Sequence, residues 1–360
     1  MPIDTVIAGG TVVSPSSTFD AAVAVDDGAI VAVGDEGDLP DAGTRIDATG
    51  QLVMPGIVDP HVHIDDHVSV DSYRTATSAA ALGGVTTVID FAWQAYEGEE
   101  SPWDEPAPLA DGVERKRDNH REALVDFGLH GGILREGDDL FAEIPELVAA
   151  GVTSFKMYTA YEFGVSNGYL RRVFDALAEH GAVGVVHTED DSVCRSLVAE
   201  LRAAGKDAPE AYPQSRPDYA EAMAAEDAVR IATETGAKYY GVHTTSRKAA
   251  AAIAEFREDG SRVRAETCTH YTTLDESIHR ELGNLPKIAP PIRSPDDVEA
   301  MFEFLRRGVL SVVSTDHVAQ RRSSKENRPW WEGPYGANGL QASLPVFHDE
   351  AVNERGLSYP

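Results

Sequence analysis

Two histidines separated by one residue, His61 and His63, directly follow an apolar run at residues 52–58. In a β-strand, side chains two positions apart point to the same face, so both imidazoles would project together from the end of a buried strand. Two neutral imidazoles that converge in this way make half of a metal site. The competing interpretation is a pair of polar residues where a strand meets its loop.

Polar residues recur at the ends of further apolar runs. Lys156 lies within Ser-Phe-Lys-Met-Tyr, His187 follows Val-Val, His243 follows Gly-Val, and Asp316 follows Val-Val-Ser-Thr. Taken singly, a histidine can be a hydrogen-bonded structural residue, a lysine can extend from an apolar strand to water, and an aspartate can cap a helix. Their recurrence on five strand ends favours one shared site.

Apolar strand-like runs alternate with alanine-rich amphipathic stretches through most of the chain. The runs are almost continuously apolar, as expected of strands buried on both faces. Eight strand–helix alternations predict an α/β fold of the (β/α)8 TIM-barrel type, with a doubly wound open sheet as the alternative. In a barrel the carboxyl ends of the strands share one rim, so four histidines, a lysine and an aspartate would converge on one pocket. The predicted strands are residues 52–62, 84–92, 126–133, 152–158, 183–189, 238–245, 263–269 and 309–316.

Lys156 decides which kind of site this would be. A cationic lysine would repel metal ions, but burial lowers the pKa of a lysine and can leave it neutral. A neutral amine can react with carbon dioxide to form a carbamate, an anion whose two oxygens can bridge two metals. Histidines from the first, fifth and sixth strands would complete the coordination.

The first fifty residues follow a different pattern. Short runs of strand-forming residues at 6–13, 21–25 and 29–33 alternate with Asp-Asp-Gly and other glycine-rich turns. We therefore expect a small β-domain at residues 1–50 and a barrel domain at residues 51–360. The acidic segment at residues 97–112, which contains three prolines, is expected to be a loop on the barrel.

Composition limits the possible partners and the compartment. The chain carries 60 acidic and 31 basic residues, a formal net charge of −29, and only seven of the basic residues are lysines. Such a surface disfavours nucleic acid and anionic membranes, and its dispersed acidity is typical of proteins that work in concentrated salt. The lack of a long apolar stretch or signal segment predicts a soluble cytoplasmic protein. Cys194 and Cys268 have no metal or redox spacing and are expected to be reduced core thiols.

The ordered motifs resemble the cyclic amidohydrolases, most closely the dihydropyrimidinase/hydantoinase branch. His-x-His alone is weak evidence, but the set follows the order of the family from about residue 50 to residue 345. The matching segments are Met54-Pro55-Gly56-Ile57-Val58-Asp59-Pro60-His61-Val62-His63, Ser154-Phe155-Lys156-Met157-Tyr158-Thr159-Ala160-Tyr161, Val186-His187-Thr188-Glu189-Asp190, Ala265-Glu266-Thr267-Cys268-Thr269-His270-Tyr271, Ala289-Pro290-Pro291-Ile292-Arg293, Ser314-Thr315-Asp316-His317 and Gly336-Ala337-Asn338-Gly339-Leu340-Gln341.

The resemblance implies a metal centre that needs no organic cofactor. It contains two divalent ions, expected to be zinc, joined by a carbamylated lysine. By correspondence of motifs, one ion would be held by His61, His63 and Asp316, the other by His187 and His243, and both by Lys156.

The resemblance also implies the chemistry and the substrate. A hydroxide generated by the two metals would attack a ring carbonyl, and Asp316 would carry its proton to the leaving ring nitrogen. Tyr161 would donate a hydrogen bond to the oxyanion. Asn338 and the backbone of Ala289 would hold the amide or imide edge of a small neutral ring. Relatives are commonly tetramers, so a homo-oligomer, tetramer or dimer, is expected.

This sequence departs from the family in three places. The loop at residues 64–71 is short and polar where hydantoinase-type relatives have a longer, more apolar one, so the preferred ring substituent stays open. Ala289 replaces a serine that is common in dihydropyrimidinases. The chain ends before the strands that, in relatives, complete the N-terminal β-domain, so we expect a C-terminally truncated product.

Related activities and a non-catalytic function are the alternatives. Dihydroorotate carries a carboxylate, and its enzymes place an arginine where this chain has Asp65, which argues against an anionic substrate. An allantoinase is harder to separate, because allantoin is neutral. A non-catalytic scaffold on the same barrel would lack the metal ligands that this sequence retains.

Eight further histidines are outside the predicted ligand set. His130 and His270 are given no role. His67 and His317 are candidates to approach the pocket. Surface positions on helices are expected for His120, His180, His279 and His348.

Overall fold

The computed structural model describes residues 2–257 and 260–360, which form two compact units, Met1–Ile57 with His348–Pro360, and Val58–Phe347. In the first unit, β1 pairs with β4 antiparallel and with β6 parallel, in a sheet ordered β5-β4-β1-β6. A second sheet is ordered β3-β2-β7. The predicted small N-terminal β-domain is therefore confirmed. The strands are β1 (Ile3–Ala8), β2 (Thr11–Val13), β3 (Thr18–Asp20), β4 (Ala22–Asp26), β5 (Ala29–Gly34), β6 (Ala42–Asp47) and β7 (Leu52–Val53).

The small unit has a core of short side chains. Val6, Ala8, Ala22 and Ala24 pack together between β1 and β4. Alternate residues of β1 are buried, which is the period expected of a sheet with one face on a core. The outer strand β5, in contrast, leaves Ile30 and its apolar neighbours exposed.

The second unit is built on a parallel nine-stranded sheet ordered β15-β14-β13-β12-β11-β10-β9-β8-β16. The eighth barrel strand is divided into two pieces: β15 pairs with β14, and β16 pairs with β8. The sheet therefore returns to its first strand, and the predicted (β/α)8 TIM-type fold is confirmed. The strands are β8 (Ile57–His63), β9 (Val85–Trp93), β10 (Asp126–Gly132), β11 (Ser154–Tyr158), β12 (Val183–His187), β13 (Lys238–Gly241), β14 (Val263–Cys268), β15 (Val312–Ser314) and β16 (His317–Val318).

Helices follow the barrel strands, and five of the described helices begin at a side-chain cap. Ser72, Ser166, Asp190, Ser246 and Ser294 each accept a hydrogen bond from a backbone N–H in the first turn, which satisfies a donor that has no partner within the helix. The helices are α1 (Tyr73–Leu82), α2 (Leu109–Asn119), α3 (Leu140–Ala149), α4 (Asn167–Glu179), α5 (Asp191–Ala203), α6 (Asp218–Thr235), α7 (Arg247–Ala254), α8 (Thr269–Thr273), α9 (Ile278–Leu282), α10 (Pro295–Arg306), α11 (Arg322–Lys325) and α12 (Ser343–His348).

The main apolar core lies between the barrel strands and these helices. Phe155 of β11, Phe174 of α4 and Ala228 of α6 are all fully buried in it. Short 3-10 helices occur at Glu36–Asp38, His120–Glu122, Pro209–Ser215 and Trp330–Glu332, and a π-helix at Asp349–Glu354. Among the described residues, no helix has both the length and the apolar character required to cross a bilayer.

The lysines of this acidic chain are distributed unevenly. All seven lie in the described part of the chain, and four of them are at most 2% exposed: Lys116, Lys156, Lys287 and Lys325. Burying an amine is costly unless it is neutral or has partners, so each of the four calls for a local explanation. Lys116, for example, contacts the Asp90 carboxylate at 2.8 Å.

Candidate active site

A cavity of about 360 Å³ opens among the carboxyl ends of the barrel strands. This is the rim at which TIM-barrel enzymes place their active sites. Of the nine residues predicted from the sequence, eight line the cavity: His61, His63, Lys156, Tyr161, His187, His243, Ala289 and Asp316. The ninth, Asn338, has an exposed side chain and is not among the residues that line it.

We call the six ligand-type residues of the cavity its floor: His61, His63, Lys156, His187, His243 and Asp316. One half of the floor combines the two histidines of β8 with Asp316. Asp316 Oδ1 lies 3.0 Å from His61 Nε2 and 3.5 Å from His63 Nε2. Behind His61, the buried carboxylate of Glu266 accepts a hydrogen bond from Nδ1 at 2.6 Å. Because a carboxylate only accepts, this contact places a proton on His61 Nδ1, so Nε2 is the nitrogen that would bind a metal ion beside Asp316.

The other half of the floor is formed by His187, at the end of β12, and His243, just beyond β13. His187 Nδ1 and His243 Nε2 face each other at 2.9 Å. Behind His187, Nε2 donates to Glu189 at 2.9 Å, so the Nδ1 lone pair points inward. Burial, together with neighbouring positive charge, holds the pKa of both imidazoles well below the usual range, which keeps them neutral.

Lys156, on β11, lines the same cavity. Its Nζ is 4.9 Å from the centre of the Tyr158 ring and 5.3 Å from that of Phe91. Burial lowers the pKa of Lys156 to about 7, in spite of the opposing charges of Asp316 and Glu266. A substantial fraction of the amine is therefore neutral near pH 7, and the neutral amine is the form that can attack the carbon of carbon dioxide.

The donor set fits divalent metal ions. Ligand atoms of His61, His243 and Asp316 all lie within 4.8 Å of one another, and all three residues are buried. Burial lowers the pKa of His61, but the carboxylates of Asp316 and Glu266 outweigh this effect and raise it to about 9. The carboxylates of Asp316 and Glu266 therefore stabilise a positive charge at this point of the cavity. A bound metal cation would provide that charge.

Backbone strain is concentrated at this site. Tyr161, His243 and Asp316 have φ values of +73°, +35° and +44°, in the left-handed region that residues with a Cβ rarely adopt. Such conformations cost about 1–3 kcal/mol each and persist where the surrounding structure holds them in place. All three residues line the cavity, so the strained turns direct functional side chains.

An aromatic wall, formed by Trp93, Tyr96, Tyr161 and Phe163, also lines the cavity. Tyr161 and Phe163 stack with ring centres 5.3 Å apart, and Tyr161 lies 5.1 Å from the His187 ring. Within residues 2–257 and 260–360, no residue hydrogen-bonds to the Tyr161 hydroxyl. The hydroxyl is therefore available to a molecule in the cavity.

Some of the remaining histidines lie where the sequence predicted and others do not. His67 lines the cavity, whereas His317 is buried between Asp71 and the backbone N–H of Gly339. The surface positions expected for His120 and His279 were wrong: both are buried.

Local contacts explain why these two rings are inside. The His120 ring stacks on Phe127 with centres 3.6 Å apart, and His279 Nδ1 lies 3.0 Å from the Gly283 carbonyl oxygen. Burial lowers the pKa of both side chains, so both rings are accommodated in the neutral state. The surface positions were expected from residue type alone. Residue type gives no information about a contact partner elsewhere in the chain.

Two carboxylates behind the floor were given no role in the sequence analysis. Glu266 lies within β14, whose other residues from Ala265 to Cys268 are also buried, and Glu189 lies two positions beyond His187. A charged residue inside an otherwise buried strand is the signal that indicates Glu266. Glu189 has a weaker signal, because an acid just before a helix is usually a cap.

The sequence of this chain is similar to those of known amidohydrolases. The profile of the amidohydrolase family matches residues 52–355. An allantoinase of Escherichia coli O1:K1 is 32% identical over 378 aligned positions, covering this chain completely and 79% of that protein. The similarities confirm the resemblance that the motifs predicted.

Solved structures give the same result for the fold. Dihydropyrimidinase from Brevibacillus agri superposes with a TM-score of 0.91 at 29% identity, covering 98% of this chain and 78% of that one. D-Hydantoinase from Bacillus sp. AR9 superposes with a TM-score of 0.89 at 30% identity, covering 99% and 78%.

Proposed function

The chain belongs to the amidohydrolase family and is a hydrolase of cyclic amides, and we propose that it opens dihydropyrimidine and hydantoin rings with a two-metal site. The observation that carries this proposal is the pairing of the floor with Tyr161. Six ligand-type residues from five strand ends line the same cavity as Tyr161, whose hydroxyl has no hydrogen-bond partner among the described residues. A site that only stored metal would have no use for that hydroxyl.

The metal ligands in this proposal are the residues of the floor. His61, His63 and Asp316 would hold one ion, and His187 and His243 the other. Lys156 would bridge them as a carbamate. When bound, two divalent ions, most suitably zinc, would lower the pKa of a water between them and polarise the ring carbonyl.

The protein's own groups supply the remaining chemistry. Tyr161 donates its hydroxyl proton in a hydrogen bond to the carbonyl oxygen as negative charge develops there. Asp316 accepts the proton of the attacking water and transfers it to the ring nitrogen as the C–N bond breaks. Although burial opposes ionisation, His61 and His63 hold the pKa of Asp316 well below its usual range, so it starts as a carboxylate that can accept. The aromatic wall and the backbone near Ala289 bind the ring and limit access of bulk water.

Allantoin hydrolysis is the second candidate function. It is favoured by the 32% identity with an Escherichia coli allantoinase over the whole chain. Both substrates present a cyclic amide to the same floor, so the two functions differ in what the wall accepts.

The test is hydrolysis of dihydrouracil, hydantoin and allantoin side by side in high salt, with zinc-loaded protein and bicarbonate. Turnover of dihydrouracil and hydantoin is the expected result. Turnover of allantoin alone would replace the proposal by the second candidate. If folded protein with two zinc ions per chain hydrolyses none of the three, both substrate assignments are wrong.

A further inference from the structure

A buried ion pair lies directly behind the cavity. Glu189 and Arg216 are 1% and 7% exposed, and Arg216 follows the 3-10 helix Pro209–Ser215. Arg216 Nη1 donates to Glu189 Oε2 at 2.5 Å. Buried ion pairs are often no more stabilising than apolar residues of the same size. Stability alone therefore does not explain this pair, and its contacts suggest another purpose.

The carboxylate of the pair orients His187. Glu189 Oε2, which accepts from Arg216, also accepts from His187 Nε2 at 2.9 Å. Glu189 Oε1 has no partner among the described residues, so Oε2 alone makes both contacts. An N–H fixed on the outer nitrogen leaves the inner nitrogen free to bind a metal, and outer partners of this kind typically change metal affinity or activity about 10–100-fold when removed.

The guanidinium of the pair lies over the Tyr161 ring. The Arg216 guanidinium carbon lies 5.1 Å from the centre of the Tyr161 ring and 5.2 Å from that of Tyr335, and both rings line the cavity. Arg216 Nη2 also donates to the Tyr335 hydroxyl at 3.3 Å. A planar cation on the face of an aromatic ring attracts it electrostatically and restricts its tilt. Because the backbone at Tyr161 is strained, its ring depends on such contacts for its position.

We propose that Glu189 and Arg216 act together as a positioning pair that couples the orientation of His187 to that of Tyr161. This inference rests on the proposed function, in which His187 binds metal and Tyr161 faces the ring carbonyl. Neither member of the pair lines the cavity, so neither touches the substrate. The pair fixes the position of His187, a metal ligand on β12, relative to Tyr161, a hydrogen-bond donor on the loop after β11.

Two single variants separate the two halves of the pair. Arg216→Lys keeps a positive charge beside Glu189 but removes the planar group over Tyr161. We expect it to retain two zinc ions per chain and to lower kcat about 10–100-fold, with KM changed less than about 3-fold. Glu189→Gln keeps the shape but removes the charge that fixes His187, and the affinity for the second zinc should fall about 10–100-fold.

The matched control is Glu221→Gln. Glu221 is also a buried glutamate paired with an arginine, Arg293, at 2.9 Å, and it hydrogen-bonds to Thr245 rather than to His187 or Tyr161. Arg293 touches the tested pair at the Arg216 backbone carbonyl, which Glu221→Gln leaves in place. Zinc per chain, titrated against a chelator and counted by mass spectrometry, should match wild type in this variant, as should kcat. A zinc loss in Glu221→Gln equal to that in Glu189→Gln would assign the effect to general destabilisation and overturn the inference.

A double-mutant cycle tests whether Arg216 acts through the tyrosine. In the Tyr161→Phe background, Arg216→Lys should lower kcat by less than about 3-fold, because the hydroxyl that it positions is gone. An equal loss in both backgrounds would overturn that half of the inference. If Arg216→Lys does not fold, Glu189→Met/Arg216→Met removes both charges together and should show both losses.

The zinc measurement keeps this inference distinct from the proposed function. If wild type binds two zinc ions but hydrolyses no cyclic amide, the proposed function fails while the zinc titration of Glu189→Gln still decides the positioning of His187. If Glu189→Gln binds zinc as tightly as wild type, the inference fails whatever the substrate.

Discussion

The floor and the aromatic wall of the same cavity are built in different ways. Side chains of the floor come from the ends of barrel strands, and their outer atoms are held by buried carboxylates such as Glu266 and Glu189. Side chains of the wall come largely from loops and pack ring against ring, as Phe163 does on Tyr161. We infer that the floor determines the reaction and the wall determines which ring is accepted.

The largest effect is expected at the centre of the floor. Lys156→Ala removes the bridging carbamate, so bound zinc should fall below two per chain and activity should drop by at least about 10³-fold. The control is Lys238→Ala, which removes an exposed lysine from β13 and should leave both quantities unchanged. Full zinc content and full activity in Lys156→Ala would rule out the carbamate.

A smaller loss is expected where floor and wall meet. Tyr161→Phe keeps the ring and removes the hydroxyl, so kcat should fall about 10²–10³-fold, the usual effect of losing one oxyanion donor. Zinc content should stay at the wild-type value, because Tyr161 is not in the ligand set. A simultaneous loss of zinc would show that the variant disturbs the floor, and the distinction between the two regions would be weakened.

The wall alone should affect binding more than chemistry. Phe163→Ala removes apolar surface that would be buried against a ring substituent, and KM for a phenyl-substituted hydantoin should rise about 10-fold with kcat changed less than about 3-fold. Unsubstituted hydantoin should be affected less. Phe141→Ala, outside the cavity, is the control. A fall in kcat with unchanged KM would contradict this role for the wall.

The last prediction concerns the buried Lys287 and the pH dependence of the free energy of unfolding. Lys287 Nζ lies 4.1 Å from the centre of the Tyr335 ring, and burial, with nearby Arg216 and Lys325, lowers its pKa to about 7. An unfolded lysine titrates near its usual value, so between about pH 7 and pH 10 the unfolded chain binds a proton that the folded chain does not. The free energy of unfolding should then rise with pH, by up to about 1.4 kcal/mol per pH unit.

The variant Lys287→Met should remove this contribution. Denaturant unfolding of both proteins at pH 6, 7.5 and 9 measures it: the difference in slope is expected above pH 7 and absent at lower pH, where the amine is protonated in both states. Parallel curves across the whole range would show that Lys287 is charged in the folded protein.

Much of the floor could be predicted from sequence because it follows from topology. In a parallel barrel every strand ends at one rim, so His61, Lys156 and Asp316 had to lie close together once the strands were recognised. The eight predicted strands correspond to β8–β15, although their ends differ by several residues. His243, for example, was expected inside a strand but follows it in a left-handed conformation.

The wall and the support behind the floor were not predictable in the same way. Trp93, at the end of β9, meets Phe163, which lies on a loop whose course depends on tertiary packing rather than on a repeating pattern. Contacts such as Glu189 with Arg216 join residues 27 positions apart, separated by α5 and a 3-10 helix whose packing the sequence does not specify. The exposed position of Asn338 likewise depends on how its loop leaves β16, which residue type does not encode.

The uneven distribution of lysines makes the protein an unusual target for amine-reactive reagents. In the folded chain, only Lys206, Lys238 and Lys248 among the seven lysines have exposed side chains. An acylating label or a lysine-directed cross-linker would therefore modify a few defined positions, all remote in sequence from Lys156. Unfolding would more than double the number of reactive side-chain amines, so the extent of labelling would report directly on the folded fraction.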